Sequence, residues 1–179
     1  MRRYFTRPRG KTRMTDTSQF ATAQNPINND DFIKVAIQLL KAARVSIHFS
    51  TFKLEIAGPG IPKRIRPLFE EFKAAAERGV KVLGLVNWRP GRAGVPRTND
   101  YNAHALVAAG AQIRYLKSGR CIHAKIIVID GRAALIGSHN LSVRSLQSNF
   151  EVSLLVENAA TAAALAAIIE HYFNDAKAF

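Results

Sequence analysis

The sequence predicts an α/β fold, an α-β-α sandwich in which helices flank both faces of a mixed β-sheet. Strand-like apolar runs alternate along the chain with segments whose apolar residues recur at helical spacing. Several of these runs are apolar at successive positions, as expected for strands buried on both faces. With 179 residues, of which 47% are hydrophobic, the chain can bury one substantial core.

The first 28 residues differ in composition from the rest of the chain. They are polar and basic, rich in Thr, Asn and Arg, and predict a disordered arm over 1–28. We expect residues 29–179 to form a single domain. It begins with an amphipathic helix over 30–44, for which Asn29 or Asp30 supplies the N-cap.

The middle of the chain continues the alternation of helix and strand. Gly79 ends one predicted helix as a C-cap, and a glycine ends the next predicted helix in the same way. Glycine and proline mark the two predicted loops. The predicted elements are, in order, strand 45–52, loop 57–62, helix 65–79, strand 80–87, loop 88–100, helix 101–110 and strand 111–116.

The stretch CIHAKIIVIDGRAALIGSHN, residues 121–140, predicts a β-hairpin. Two apolar runs flank an Asp-Gly pair, which is a common turn sequence. The predicted elements here and beyond are strand 123–129, a turn at Asp130-Gly131, strand 133–138, an irregular or briefly helical segment 140–148, strand 149–157 and a long C-terminal helix over 158–179.

Four polar side chains meet at the open end of this hairpin. His123 and Lys125 point to the same side, because side chains on a strand alternate between faces. The turn brings Ser138 and Asn140, at the end of the partner strand, back beside His123. A histidine and a lysine buried beside an apolar run cost free energy unless they have partners. The cluster therefore predicts a functional site, and Asp130 lies at the far end of its first strand.

A phosphate group suits this cluster. Lys125 supplies a fixed cation, and Ser138 and Asn140 supply neutral donors. The imidazole of His123 is placed to attack phosphorus. Glu151 enters from the next predicted strand, where its carboxylate can hold one ring nitrogen of His123, fix the tautomer and stabilise the imidazolium.

Two sequence motifs resemble those of the phospholipase D superfamily. Residues 123–130, HAKIIVID, are similar to its His-x-Lys-x4-Asp motif, and residues 137–140, GSHN, to its Gly-Ser-x-Asn companion. Glu151, eleven residues after Asn140, stands where that family has a supporting acid. The flanking segments AAERGVKVLGLV and AALIGSHNLS are also similar to the family, and the resemblance spans about residues 29–175.

The resemblance implies a catalytic domain that cleaves phosphodiesters without a metal or cofactor, through a phosphohistidine on His123. It implies catalytic roles for Lys125, Asn140 and Glu151, and a supporting role for Asp130, which would orient Lys125 or the turn. It also implies a homodimer, because members with a single motif pair two copies around one site near a twofold axis. There the second His123, protonated, gives the leaving group its proton, so the two imidazoles titrate as a coupled pair.

The charge of the chain favours a nucleic acid as partner and substrate. Its formal net charge is +13, which suits a polyanion such as DNA or RNA. Together with the resemblance, this charge implies an endonuclease. A tryptophan and several arginines combine a stacking surface with phosphate-binding cations. The candidate nucleic-acid contacts are Trp88, Arg89, Arg92, Arg97, Arg120 and Arg144.

Two alternative functions stay open at this stage. Membrane lipid is a less favoured partner, but anionic lipid headgroups also attract a basic protein. The second interpretation is therefore a phospholipase D or phosphatidyltransferase that acts on phospholipid. The third is a nucleic-acid-binding module with little turnover, which the complete set of His, Lys, Asn and Glu side chains disfavours.

The remaining features are less informative. The single cysteine, Cys121, cannot form an intrachain disulfide, and the chain has no apolar run of about 18 residues. A cytoplasmic location is therefore expected, while a secreted or organellar one stays open. A zinc site built on Cys121 and His123 is not expected, because matching ligands are missing from the sequence. We expect no catalytic role for His48, His104, His139 and His171.

Overall fold

The computed structural model describes residues 24–87, 95–116 and 121–179. Its strands are β1 (Gln24–Ile27), β2 (Ser46–Thr51), β3 (Leu54–Glu55), β4 (Lys81–Val86), β5 (Gln112–Tyr115), β6 (Lys125–Ile129), β7 (Ala133–Gly137), β8 (Leu141–Ser142), β9 (Ser153–Val156) and β10 (Lys177–Ala178). Its helices are α1 (Asn29–Ala42), α2 (Arg66–Glu77), α3 (Val95–Ala108), α4 (Val143–Gln147) and α5 (Ala159–Asn174).

Eight strands form one mixed sheet in the order β1-β9-β7-β6-β2-β4-β5-β10, and β3 pairs with β8 in a small second sheet. Strands β2, β4 and β5 run parallel, and the other neighbours in the large sheet are antiparallel. The predicted hairpin is present as β6 and β7, with Lys125 opposite Gly137 in the register. This pairing places the start of β6 beside the end of β7.

The large sheet buries apolar side chains on both faces, as the sequence predicts. Successive residues of β6 alternate, so that Ile127 faces the core under α1 and α2 while Ile126 faces the core under α5. Phe72 of α2 packs in the first core and Phe173 of α5 in the second. The predicted mixed sheet with helices on both faces is therefore confirmed.

Local sequence signals explain how several of these elements begin and end. Asn158 caps α5, because its side-chain oxygen accepts a hydrogen bond from the Thr161 amide at 2.9 Å. Gly79 follows α2 with a φ of +85°, a backbone conformation that glycine adopts at low cost. The turn of the hairpin also lies at positive φ, with Asp130 at +53° and Gly131 at +62°.

Several boundaries differ from the sequence-based expectations. Residues 24–27, assigned to the arm, form edge strand β1, which pairs with β9; residues 1–23 lie outside the described residues. Helix α3 begins at Val95, inside the predicted loop. Pro96 does not prevent this, because the first helical turn needs no backbone donor at that position.

The later strands and the last helix are shorter than expected. Strand β6 begins at Lys125 and β9 begins at Ser153, each a few residues after its predicted start. Helix α5 ends at Asn174, after which the chain turns and forms β10 against β5. In the described residues, none of the helices combines the length and apolar character needed to cross a membrane.

Candidate active site

The start of β6 carries the imidazole and the ammonium. His123 is exposed and directly precedes the strand, and Lys125 is its first residue. Lys125 Nζ lies 3.1 Å from His123 Nδ1 and donates to the carbonyl oxygen of His123 at 2.6 Å. The ring of Phe52 packs against that of His123, with centroids 5.8 Å apart. The predicted pairing of His123 with Lys125 is therefore present.

The end of β7 brings a hydroxyl to the same place. Gly137 lies between Lys125 on one side and Ser153 on the other in the sheet register. A side chain at Gly137 would collide with the backbone of Val152 and Ser153, so glycine is required at this position. The hydroxyl of Ser138 then accepts from the Val152 amide at 3.1 Å, which fixes it beside the cleft.

Asn140 follows β7 and lies next to the end of β2. Its Oδ1 accepts from the Lys53 amide at 3.2 Å and from the Thr51 hydroxyl at 3.4 Å. Because these donors engage the oxygen, the amide nitrogen is the group that Asn140 can offer to a phosphate. Thr51 also accepts from the Leu141 amide at 3.3 Å, so it binds both Asn140 and its neighbour.

Glu151 lies just before β9, within a network of polar side chains. Its Oε1 accepts from the Ser145 hydroxyl at 2.8 Å and from Asn149 Nδ2 at 3.0 Å. Burial raises the pKa of Glu151, but hydrogen bonds from Ser138, Asn149 and Ser145 together outweigh burial and leave this pKa below its usual value. The carboxylate is thus held in its charged form.

The predicted contact between Glu151 and the imidazole is not formed in the described part of this single chain. His123 Nδ1 faces Lys125 Nζ, while the carboxylate of Glu151 binds Ser145 and Asn149. Glu151 does interact with Lys125: burial lowers the pKa of the Lys125 ammonium, and the negative charge of Glu151 opposes that effect. Glu151 therefore lies within electrostatic range of the ammonium and outside hydrogen-bond range of the ring.

His139 lies in the variable position of the Gly-Ser-x-Asn motif and is a core residue. It is 2% exposed, its ring stacks on Phe32 with centroids 4.3 Å apart, and its Nδ1 lies 2.8 Å from the Ser153 hydroxyl. Burial lowers the pKa of His139, against the raising effect of Glu151. These contacts place the His139 ring in the interior of the domain.

A cleft of about 370 Å³ opens over the cluster. His123, Lys125 and Ser138 line it, together with Gly137 and the apolar side chains of β6 and β7. An ammonium and a hydroxyl beside an exposed imidazole can bind a phosphate oxyanion next to a nucleophile. The cleft therefore joins three of the residues that the sequence predicts.

Asp130 is not part of this cluster. It lies at the opposite end of β6, where its carboxylate accepts from the backbone amides of Arg44, Val45 and Ser46 at 2.8–3.2 Å. Burial raises the pKa of Asp130, but these three backbone donors outweigh it and the pKa is lowered. Asp130 thus stabilises the connection between α1 and β2 beside the hairpin turn. Two roles were expected for it: orienting Lys125 is wrong because the whole of β6 separates the two residues, and orienting the turn stays a prediction.

The predicted nucleic-acid contacts are mostly untested. Trp88, Arg89, Arg92 and Arg120 lie outside the described residues, and so does the side chain of Arg97. Arg144 is exposed on α4, next to the segment that carries Asn140.

The other histidines and the cysteine lie apart from the cleft or at its border. His48 binds Glu170 through Nε2 at 2.9 Å, and the same carboxylate accepts from Lys81 at 3.0 Å. Cys121 is exposed. Within residues 24–87, 95–116 and 121–179, no group of three or more His, Cys, Asp or Glu side chains is arranged to hold a metal ion.

Sequence reasoning missed three residues that support the cluster. Ser145 accepts from the Asn140 amide at 2.8 Å while it donates to Glu151, and Thr51 binds Asn140. Asn29, expected only as a helix cap, accepts from the Glu151 amide at 3.2 Å. The contact between Asn29 and Glu151 joins positions 122 residues apart, which no local pattern can indicate.

Comparison with known proteins gives one match at the level of sequence families. The profile described as "Cardiolipin synthase, PLD-like domain" matches residues 36–174. Among curated proteins, cardiolipin synthase A from Shigella dysenteriae serotype 1 is 34% identical over 116 residues, which are 60% of this chain and 22% of that protein. The chain spans about a fifth of the length of the curated relatives it matches.

Two solved structures share the fold over nearly their whole length. Nuc, a phospholipase D family member from Salmonella typhimurium, has a TM-score of 0.72 and 17% identity, covering 88% of this chain and 97% of that chain. NucT from Helicobacter pylori has a TM-score of 0.67 and 17% identity, covering 88% and 99%. At these identities the likeness establishes the architecture, a mixed sheet flanked by helices.

Proposed function

The chain belongs to the phospholipase D superfamily through its PLD-like domain, and we propose that it is a metal-independent endonuclease. In this proposal it cleaves DNA or RNA through a covalent phosphohistidine on His123, at the interface of a homodimer. The observation that carries the proposal is the contact of His123 with Lys125 in a cleft that Ser138 also lines. The proposed nucleophile and two proposed phosphate-binding groups thus line the same cleft.

The reaction proceeds in two displacements at phosphorus. In the first, a ring nitrogen of His123 forms a bond to phosphorus while the bond from phosphorus to the leaving oxygen breaks. A second, protonated imidazole gives its proton to that oxygen. In the second, water attacks phosphorus, gives a proton back to that imidazole, and releases His123. Lys125 stabilises the charge on the non-bridging oxygens in both steps.

Each chain supplies one His123, so the second imidazole comes from a second copy. Phe150, next to Glu151, is 96% exposed, and Val152 beside Ser138 is 43% exposed. A large aromatic side chain in water is unfavourable, and such residues anchor protein interfaces. The border of the cleft therefore supports an isologous contact in which Phe150 of each copy packs against the other.

The net charge of +13 supports a nucleic acid as the substrate. Cations that neutralise phosphates release counterions from the nucleic acid, which drives binding and makes it weaken as salt rises. The fold-sharing structures Nuc and NucT are compact as well, since this chain covers 97% and 99% of their lengths. The charge therefore supports a nuclease.

A second candidate function is phosphatidyl transfer or hydrolysis on phospholipid. An apolar groove of about 440 Å³ opens on His123, and its walls include Ile122, Ile126, Ile168 and Tyr172. Aliphatic walls suit an acyl chain more than a nucleobase, which hydrogen-bonds and stacks. Cardiolipin synthase A, a relative over 60% of this chain, carries a lipid in its name.

One panel of substrates separates these functions. Wild-type protein is assayed on single-stranded DNA, double-stranded DNA, RNA and vesicles of phosphatidylcholine and phosphatidylglycerol, beside the groove variant Ile168→Ser. The proposal predicts nucleic-acid cleavage that Ile168→Ser leaves within about twofold, because its side chain is not among the phosphate-binding groups. Lipid turnover that falls with Ile168→Ser, without nucleic-acid cleavage, contradicts the nuclease and selects the second candidate. Saturable, salt-sensitive binding without any product selects a binding module.

A further inference from the structure

Ser145 links the two segments that bring Asn140 and Glu151 to the site. It lies in the first turn of α4 and is 1% exposed. Its hydroxyl accepts from the backbone amide of Asn140 at 2.8 Å and donates to Glu151 Oε1 at 2.8 Å. A serine hydroxyl has one proton to donate and lone pairs to accept with, so this one group makes both bonds at once.

The backbone around Glu151 is fastened independently from the other end of the chain. Asn29, the first residue of α1, donates from Nδ2 to the carbonyl oxygen of Asn149 at 2.6 Å and to that of Ser145 at 3.2 Å. Its Oδ1 accepts from the amide of Glu151 at 3.2 Å. The segment 145–151 is thereby held at both of its ends, and the Ser145 hydroxyl sets the side chain of Glu151 within it.

We propose that Ser145 is a positioning residue that couples the placement of the phosphate-binding Asn140 to that of the carboxylate of Glu151. This role rests on the proposed function, in which both residues serve one reaction. Ser145 itself is buried and does not line the cleft. Its effect passes through two hydrogen bonds of equal length.

Two consequences follow from removing the hydroxyl. The Asn140 amide loses its acceptor, which leaves a backbone donor unpaired. The carboxylate of Glu151 loses one of the hydrogen bonds that lower its pKa, so this pKa rises toward the ordinary range. A misplacement of catalytic groups by about 1 Å can lower the rate about 100-fold.

The test follows the titration of Glu151 by NMR on protein labelled at the glutamate side-chain carboxyl carbon, with the signal assigned by Glu151→Gln. Ser145→Ala is expected to raise the titration midpoint of Glu151 and to lower kcat by about 10-fold to 100-fold, with KM changed by less than about threefold. Ser145→Cys keeps a donor, although a weaker one on a somewhat larger side chain, and is expected to be intermediate; it replaces the alanine variant if that variant fails to fold.

Ser142→Ala is the matched control. Ser142 is also buried, but its hydroxyl caps α4 by accepting from the Ser145 amide at 3.4 Å. It is expected to lower the melting temperature and leave the Glu151 midpoint unchanged. An unchanged midpoint in Ser145→Ala, or an equal shift in Ser142→Ala, overturns the inference. If wild-type protein cleaves no phosphodiester, the proposed function fails, while the Glu151 titration still decides whether Ser145 sets that carboxylate.

Discussion

Lys125 Nζ lies 3.1 Å from His123 Nδ1. An ammonium group carries only donors, so Nδ1 accepts from it and bears no proton. The neutral ring then carries its proton on Nε2, and this nitrogen cannot attack phosphorus in that form. Binding of a phosphate that draws the ammonium toward its own oxygens removes this constraint on the ring.

We therefore expect the tautomer of His123 to depend on Lys125. Nitrogen-15 NMR at a pH where the ring is neutral should show the proton on Nε2 in wild-type protein. Lys125→Met, which removes the ammonium and keeps an unbranched side chain, should lose this preference. A ring that already carries its proton on Nδ1 in the wild type contradicts the account of the resting site.

Loss of the Lys125 charge should weaken phosphate binding and the transition state together. Lys125→Ala is expected to lower kcat/KM by about 100-fold to 1000-fold, the range for removing one charge-stabilising donor. Lys125→Arg keeps the charge in a planar, larger group and should recover only part of the loss. The measurement is steady-state cleavage of a short oligonucleotide. A rate unchanged in Lys125→Ala would remove its assigned role.

Asp130 should contribute to stability and leave the chemistry unaffected. Asp130→Ala removes three backbone hydrogen bonds and places alanine at positive φ, so the free energy of unfolding at pH 7 should fall by about 2 kcal/mol. Asp130→Asn keeps an acceptor and tolerates that backbone conformation, so its free energy of unfolding should fall by less. Denaturant titrations measure both values.

The effect of Asp130 should also depend on pH with a definite sign. Its pKa is lowered in the folded protein, so its stabilisation is present above the pKa of the unfolded chain and is lost as pH falls through the folded value. The difference in the free energy of unfolding between wild type and Asp130→Asn should therefore become smaller as the pH falls. A difference in the free energy of unfolding that stays constant or widens as the pH falls from 7 contradicts this role of the Asp130 carboxylate.

Phe150 should control self-association. Phe150→Ser removes the most exposed aromatic side chain beside the cleft and is expected to shift sedimentation from dimer toward monomer, with cleavage falling in parallel. Tyr101→Ser is the control, because Tyr101 is 57% exposed on α3. A wild-type protein that sediments as a monomer while it cleaves substrate contradicts the shared site.

Much of the fold follows from local patterns. The two-sided apolar runs predict the buried strands, and the Asp130-Gly131 pair predicts a turn whose two residues lie at positive φ. Strand β1 was not predicted, because its four residues, QNPI, show no apolar alternation and form a strand only through pairing with β9. The start of helix α3 was predicted too late in the chain, because proline, which usually indicates a loop, is also tolerated in the first turn of a helix.

Part of the candidate site can likewise be predicted from local sequence, and part of it depends on long-range packing. The spacing of His123 and Lys125, and the glycine of the Gly-Ser-x-Asn motif, are local features, and the structure places them together. Hydrogen bonds with Ser145 and Asn29 hold Glu151, and the second of these joins positions 122 residues apart. Such contacts depend on the packing of α1 against α4 and not on any periodicity.

The most direct test of the central claim is cleavage in the presence of EDTA by wild-type protein and His123→Asn. Asparagine approximates the size of the ring and keeps a polar side chain, but it cannot form the phosphohistidine. The account predicts that wild-type protein cleaves nucleic acid after exhaustive chelation, that acid-quenched protein carries phosphorus on His123, and that His123→Asn does neither. Full activity of His123→Asn, or activity that EDTA abolishes and a divalent metal restores, would contradict it.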